Sequence, residues 1–111
     1  MHKFLRTPGQ TLNLEGVVEL NYVRTLHASR AASAPGRDQA HFKLTLARPL
    51  KVNGVRRAPS DGPLPYTLYQ GESIHVEGGI TFNLTKFDPK GIWLGVLAPS
   101  WMRIVRSENL S

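Results

Sequence analysis

Gly9-Gln10-Thr11-Leu12-Asn13-Leu14-Glu15-Gly16 and Gly71-Glu72-Ser73-Ile74-His75-Val76-Glu77-Gly78 are two versions of one pattern. Each opens with a turn glycine, a polar residue and a hydroxyl residue, then alternates apolar with polar up to a second glycine. Each runs on into another segment rich in alternate apolar residues, Val17 to Val23 and Gly79 to Thr85. Successive side chains of a strand point to opposite faces, so apolar residues at every second position put one face on a core and the other in water. The pair of matching hairpins predicts an all-β chain built from two repeats.

The same alternation continues outward in Phe42-Lys43-Leu44-Thr45-Leu46 and Ile92-Trp93-Leu94-Gly95-Val96, bounded by Gly, Pro or Asp. No window carries a helical period longer than two turns. Leu44-Thr45-Leu46-Ala47-Arg48-Pro49 aligns with Leu94-Gly95-Val96-Leu97-Ala98-Pro99, and an arginine, Arg56 or Arg106, follows each proline at the same distance. The first repeat is longer, and the stretch His27 to Asp38, rich in Ala, Ser and Arg with Pro35-Gly36, accounts for the excess. This reads as a long hairpin loop that either adds Arg30 and Arg37 to a basic surface or is a solvated insertion. Pro59, Gly62, Pro63 and Pro65 mark a linker. The expected organisation is a first repeat over 1–57, a linker over 58–65 and a second repeat over 66–111.

The chain has 111 residues, 14 Lys and Arg against 8 Asp and Glu, a formal net charge of +6 and no cysteine. That length suits one small domain and is too short for a multidomain enzyme. Without cysteine there is no disulfide framework, no thiolate metal site and no cysteine nucleophile, and the redox compartment stays open. No segment approaches about 18 consecutive apolar residues, and the opening residues lack a secretory apolar stretch, so a cytoplasmic protein with no membrane contact is expected. The positive field attracts nucleic acid or an acidic protein, and charge alone does not choose between them. His2, His27, His41 and His75 have no metal-ligand spacing, and Glu15, Glu19, Glu72 and Glu77 lie near turns, where surface roles are the default. No phosphate-cradling loop or nucleophile elbow is present, so neither enzyme activity nor a metal or cofactor is expected.

Two segments carry a resemblance. Phe4-Leu5-Arg6-Thr7-Pro8-Gly9-Gln10-Thr11-Leu12 and Gly95-Val96-Leu97-Ala98-Pro99-Ser100-Trp101-Met102-Arg103-Ile104-Val105-Arg106-Ser107-Glu108 resemble the beginning and end of the carbon storage regulators (CsrA, also called RsmA), small bacterial proteins that bind messenger RNA. Each chain of that family has five strands and a short helix. Two chains interlock so that the first strand of one lies beside the fifth strand of the other, and RNA with a GGA-containing loop binds at the two shared edges. The resemblance implies two interleaved five-strand repeats forming an intramolecular pseudo-dimer, monomeric in solution. There is no room for the family's carboxy-terminal helices after either repeat.

Carried over by position, one edge combines Phe4, Arg6 and Thr7 with Pro99, Trp101, Ile104, Val105 and Arg106. Phe4 and Arg6 share a face, as do Ile104 and Arg106, so an apolar pair supports a base while two guanidinium groups clamp it. Arginine suits this task because its planar fork donates paired hydrogen bonds to a phosphate or a guanine edge. The other edge combines Arg56 and Arg57 with Tyr66, Leu68 and Tyr69. There Leu68 replaces Arg6, which makes this edge degenerate, and Tyr66 and Tyr69 either stack a base or cover the core. Trp93, inside an alternating strand, reads as packing, whereas Trp101 reads as exposed at the candidate site. The expected function is post-transcriptional regulation through GGA motifs in mRNA or small regulatory RNA. The other reading is a protein-interaction module that pairs its strand edges with another regulator or an acidic partner.

Overall fold

The computed structural model describes residues 2–28 and 37–107. Eleven strands follow one another: β1 (His2–Arg6), β2 (Thr11–Leu14), β3 (Val18–Leu26), β4 (Gln39–Leu46), β5 (Leu50–Val52), β6 (Val55–Arg57), β7 (Leu64–Leu68), β8 (Ser73–Val76), β9 (Ile80–Asp88), β10 (Gly91–Leu97) and β11 (Ile104–Ser107). Among the described residues the one helical element is a single 3-10 turn, Pro59–Asp61. No helix among them is long and apolar enough to cross a membrane. Arg30 and most of the 27–38 loop lie outside the described residues.

The strands form two antiparallel sheets, in the orders β1-β10-β9-β8-β5-β6 and β11-β2-β3-β4-β7. Each sheet takes strands from both ends of the chain. The expected adjacency of first and fifth strands differs in detail. β1 is hydrogen-bonded to β10, with Phe4 opposite Leu94, and β11 to β2, with Arg106 opposite Leu12. β1 and β11 are therefore end strands of two different sheets.

The period-two pattern does what its chemistry requires. Leu12, Leu14, Leu20, Tyr22, Phe42 and Leu44 from one sheet join Ile74, Phe82, Leu84, Ile92, Leu94 and Val96 from the other in one buried cluster. Each such side chain contributes about 1.5–3 kcal/mol by leaving water. The two hairpins match bond for bond. The Gly9 N–H donates to Tyr22 O and the Tyr22 N–H to Gln10 O, while the Gly71 N–H donates to Leu84 O and the Leu84 N–H to Glu72 O. The pairing slips by one residue past Tyr22 in the β3–β4 ladder and past Leu84 in the β9–β10 ladder. A bulge in each long hairpin sharpens its twist and helps the sheets wrap one core.

The match ends at the strands that pair with β8 and β2, namely β5 and β11. The Glu15 N–H donates to Arg103 O, and the Glu77 N–H donates to Lys51 O. Ile104 lies opposite Leu14, and Val52 opposite Val76. In this register the position of Arg106 falls on Gly54, not on Arg56, so the equal spacing from Pro49 and Pro99 does not make Arg56 the counterpart of Arg106. The cause is local: Asn53 and Gly54 have φ of 50° and 79° and reverse the chain in a two-residue turn, sending it back along β5 as β6. β5 thus folds back into a hairpin with β6.

Candidate nucleic-acid interface

β1 and β11 have one neighbour each, so each leaves one row of backbone groups unpaired. The two strands come from opposite ends of the chain, and their side chains meet at one rim of the sandwich. The Arg106 guanidinium carbon stands 6.0 Å from the centroid of the Phe4 ring. His2 and Phe4 hold their rings 6.5 Å apart, and together with Met102 and Ile104 they line a shallow cleft. Phe4, Met102 and Ile104 are half-buried and packed against the core, whereas Arg106 is exposed. The cleft thus has an apolar wall with an exposed cation over an aromatic face, an arrangement that favours a flat, polar, anionic ligand.

Alternation explains who meets whom. Ile104 and Arg106 lie opposite Leu14 and Leu12, the buried pair of β2, so their side chains share the face turned toward β1. Val105 faces the other way and is partly exposed. Pro99 opens the turn before β11, where its carbonyl accepts the Met102 N–H at 3.0 Å, and Trp101 at the tip of that turn is 74% exposed. Thr7 lies beyond the end of β1, its N–H donating to Gln10 Oε1 at 2.8 Å, and belongs to the turn. His2 and Met102 were not expected at the site. The signal was in the sequence, since His2 alternates with Phe4, and Met102 with Ile104 and Arg106.

Arg6 requires a correction. It is 4% exposed, with Nε donating to Leu5 O at 2.8 Å and Nη1 to Thr11 O at 3.3 Å. Its guanidinium ties the end of β1 to the start of β2 and is not a solvent-facing clamp. Leu68, aligned with it in the second half, is 5% exposed. Both side chains point inward, so a leucine there removes no surface cation. Close approach at this point also fixes Gly91, because a Cβ on it would stand 2.0 Å from Arg6 O.

The second rim differs in construction. β7 is its free edge in one sheet, but in the other β6 covers the outer side of β5. Arg56 and Arg57 sit on that added strand, opposite Lys51 and Leu50. Tyr66 is half-buried against the core. The Tyr69 hydroxyl accepts a hydrogen bond from Gln39 Nε2 at 2.9 Å, and the Arg37 guanidinium lies 4.0 Å from its ring centroid. Tyr69 is therefore already covered by the base of the long loop, so the expected grouping of Arg56 and Arg57 with Tyr66 and Tyr69 as one reading edge is replaced by a closed hairpin and two engaged rings. Trp93 is held as a packing residue, half-buried, with Nε1 donating to Asp88 Oδ2 at 3.2 Å and Lys86 Nζ 5.9 Å from its ring.

Comparison with known proteins adds no relative: no family model, no curated protein and no solved structure matches the chain.

Proposed function

We propose that the protein is a cytoplasmic RNA-binding regulator that acts by occupancy, a single-chain, two-repeat counterpart of the interlocked carbon storage regulators with one open reading rim. The observation that carries this reading is the meeting of Phe4 and Arg106, from opposite ends of the chain, with their rings and guanidinium 6.0 Å apart at two unpaired strand edges. Single-stranded RNA is read by stacking splayed bases and by hydrogen bonds to their edges from side chains and free backbone groups. The rim offers all three: the Phe4, Met102 and Ile104 wall, the Arg106 fork and the open backbone of β1 and β11. A GGA loop in mRNA or a small regulatory RNA is the ligand that the sequence resemblance favours. A cover placed on such a loop beside a ribosome-binding site alters translation without chemistry. The net charge of +6 supports steering toward such a polyanion.

The test is titration of a short hairpin RNA with GGA in its loop at two salt concentrations, beside a hairpin of the same stem with the loop sequence scrambled. Binding is expected to favour GGA and to weaken steeply with salt. Arg106→Ala is expected to lose about tenfold or more in affinity, the worth of one bidentate contact. Equal affinity for both loops, or no loss in Arg106→Ala, would sink the reading. Capture of an extended peptide along the same edges would then take its place.

A further inference from the structure

We infer that the β5–β6 hairpin is a second, sequence-independent site that holds the phosphate backbone of single-stranded RNA, resting on the RNA-binding reading of the first rim. Arg48, Lys51, Arg56 and Arg57 fall within Ala47 to Ala58, a stretch with no acidic residue. Lys51 and Arg56 lie directly opposite each other across the two strands. Such neighbours have Cβ atoms about 5 Å apart, and like charges in that position repel. Both side chains are exposed, as is Arg48. Among the described residues no ion pair reaches any of the four. Glu77 and Asp61, the carboxylates flanking the hairpin, are turned to backbone: Glu77 Oε1 accepts the Lys51 N–H and Asp61 Oδ2 the Ala58 N–H.

Arg57 adds a second observation. It faces the inner side of the hairpin beside Leu50, and its Nε is shielded from water with no hydrogen-bond partner. Lys51 and Arg56 form an exposed cationic pair next to the tip of the hairpin, with Arg48 exposed ahead of β5 and Arg57 on the opposite face, and the repulsion within the pair is relieved by a bound polyanion. Arginine forks bind phosphate oxygens in pairs, which favours a phosphate chain over the single carboxylates of an acidic peptide. Ala47 to Ala58 contains no aromatic residue, so the hairpin grips backbone without stacking bases. It lies at the opposite edge of the sheet from β1, five strand spacings or about 24 Å away, within reach of RNA that continues past the first rim. The second rim has thus exchanged a base-reading edge for a phosphate clip.

The experiment compares wild type with Lys51→Gln/Arg56→Gln on four probes: the minimal GGA hairpin, the same hairpin extended by about a dozen uridines, and oligouridylate and polyglutamate each alone at low salt. Both substitutions are at exposed positions, and thermal melting checks that the fold is kept. The extension is expected to tighten binding by wild type severalfold and to do nothing for the variant, with the minimal hairpin bound equally by both. The salt slope on the extended RNA is expected to flatten by about 1.4, the loss of two phosphate contacts on a single strand, which is about sevenfold between 50 and 200 mM salt. Equal gain from the extension in both proteins, equal loss on the minimal hairpin, or tighter binding of polyglutamate than of oligouridylate at the tip overturns the inference. If the minimal hairpin is not bound but oligouridylate binding still falls in the variant, the base-reading function fails and the clip stands.

Discussion

The two rims of this sandwich are built differently. At the first, β1 and β11 leave their outer backbones bare, and Phe4, Ile104 and Arg106 converge across the gap. At the second, β7 is bare but β5 is covered by its own continuation, β6. The interior does not share the divergence, since the hairpin hydrogen bonds recur from Gly9–Tyr22 to Gly71–Leu84. Pairing β5 with β6 therefore moves the outer edge of that sheet by one strand, away from β7 of the facing sheet. Arg56 and Arg57 stand on that added outer strand, opposite Lys51 and Leu50, and not beside Tyr66 of β7.

The largest difference to break is steric. Gly91 at the first rim and Gln39 at the second both begin the strand that receives the edge strand, β10 under β1 and β4 under β7. A side chain fits at the second, where Gln39 bonds Tyr69. It does not fit at the first, where a Cβ on Gly91 would stand 2.0 Å from Arg6 O. Gly91→Ala is expected to push β1 off β10, to cost about 3 kcal/mol in urea denaturation, and to abolish binding of the GGA hairpin. Gln39→Ala is expected to cost about 1 kcal/mol or less, the worth of one hydrogen bond, and to leave that binding intact. Equal destabilisation by the two would show that the rims are not built differently at this point.

Much of this was legible in advance, and what was missed has identifiable causes. Alternation placed Leu12, Leu14, Ile74 and Val76 on the core, because burial of one strand face is a local property of the sequence. The meeting of Phe4 with Arg106 was legible through the likeness of the two chain ends to a known family, not through any local rule. Arg6 was misjudged because a charged residue is expected outside. Here the carbonyls of Leu5 and Thr11 at the end of β1 supply acceptors that hold its guanidinium inside, a tertiary fact that no spacing announces. The hairpin was different: Asn53-Gly54 between Val52 and Val55 is a strong two-residue turn signal, and the equal proline-to-arginine spacing hid it.

The next contrast separates reading from packing. Phe4 and Tyr66 occupy corresponding places on β1 and β7, opposite Leu94 and Phe42, and both are half-buried against the core. Each lines a shallow cleft, Tyr66 with His41 and Lys43 and Phe4 with Met102 and Ile104, but Phe4 has the exposed Arg106 guanidinium 6.0 Å from its ring centroid and faces the rim where β1 and β11 are both end strands. Phe4→Ala is expected to weaken binding of the GGA hairpin by about 2 kcal/mol, within the range measured for base–aromatic stacking. Tyr66→Ala is expected to leave affinity unchanged while costing a similar amount of stability. Isothermal titration and urea melts on both variants sharpen the comparison. A loss of RNA affinity in Tyr66→Ala as large as in Phe4→Ala would mean that the closed rim still reads bases.

The smallest expected effect concerns the interior, where the two matching hairpins differ at one position. Tyr22 in the first half takes the place that Leu84 holds in the second, and both are buried. Burial raises the Tyr22 phenol above its ordinary 10.0, and the hydrogen bond with Thr25 Oγ1 opposes that shift without reversing it. A raised value means that the folded protein keeps the phenolic proton to higher pH than the unfolded chain does. The resulting stability is fully present below about pH 10 and is lost as pH rises through the folded value. Tyr22→Phe removes this titration along with one hydrogen bond, so it is expected to be less stable than wild type by about 1 kcal/mol at neutral pH. Above pH 10 the gap should close, because wild-type stability falls more steeply by at most one proton, about 1.4 kcal/mol per pH unit. Leu84, with nothing to titrate, gives the second half no such dependence, so denaturant melts of wild type and Tyr22→Phe between pH 7 and 11 that stay parallel throughout would place the Tyr22 hydroxyl in water and remove this distinction between the repeats.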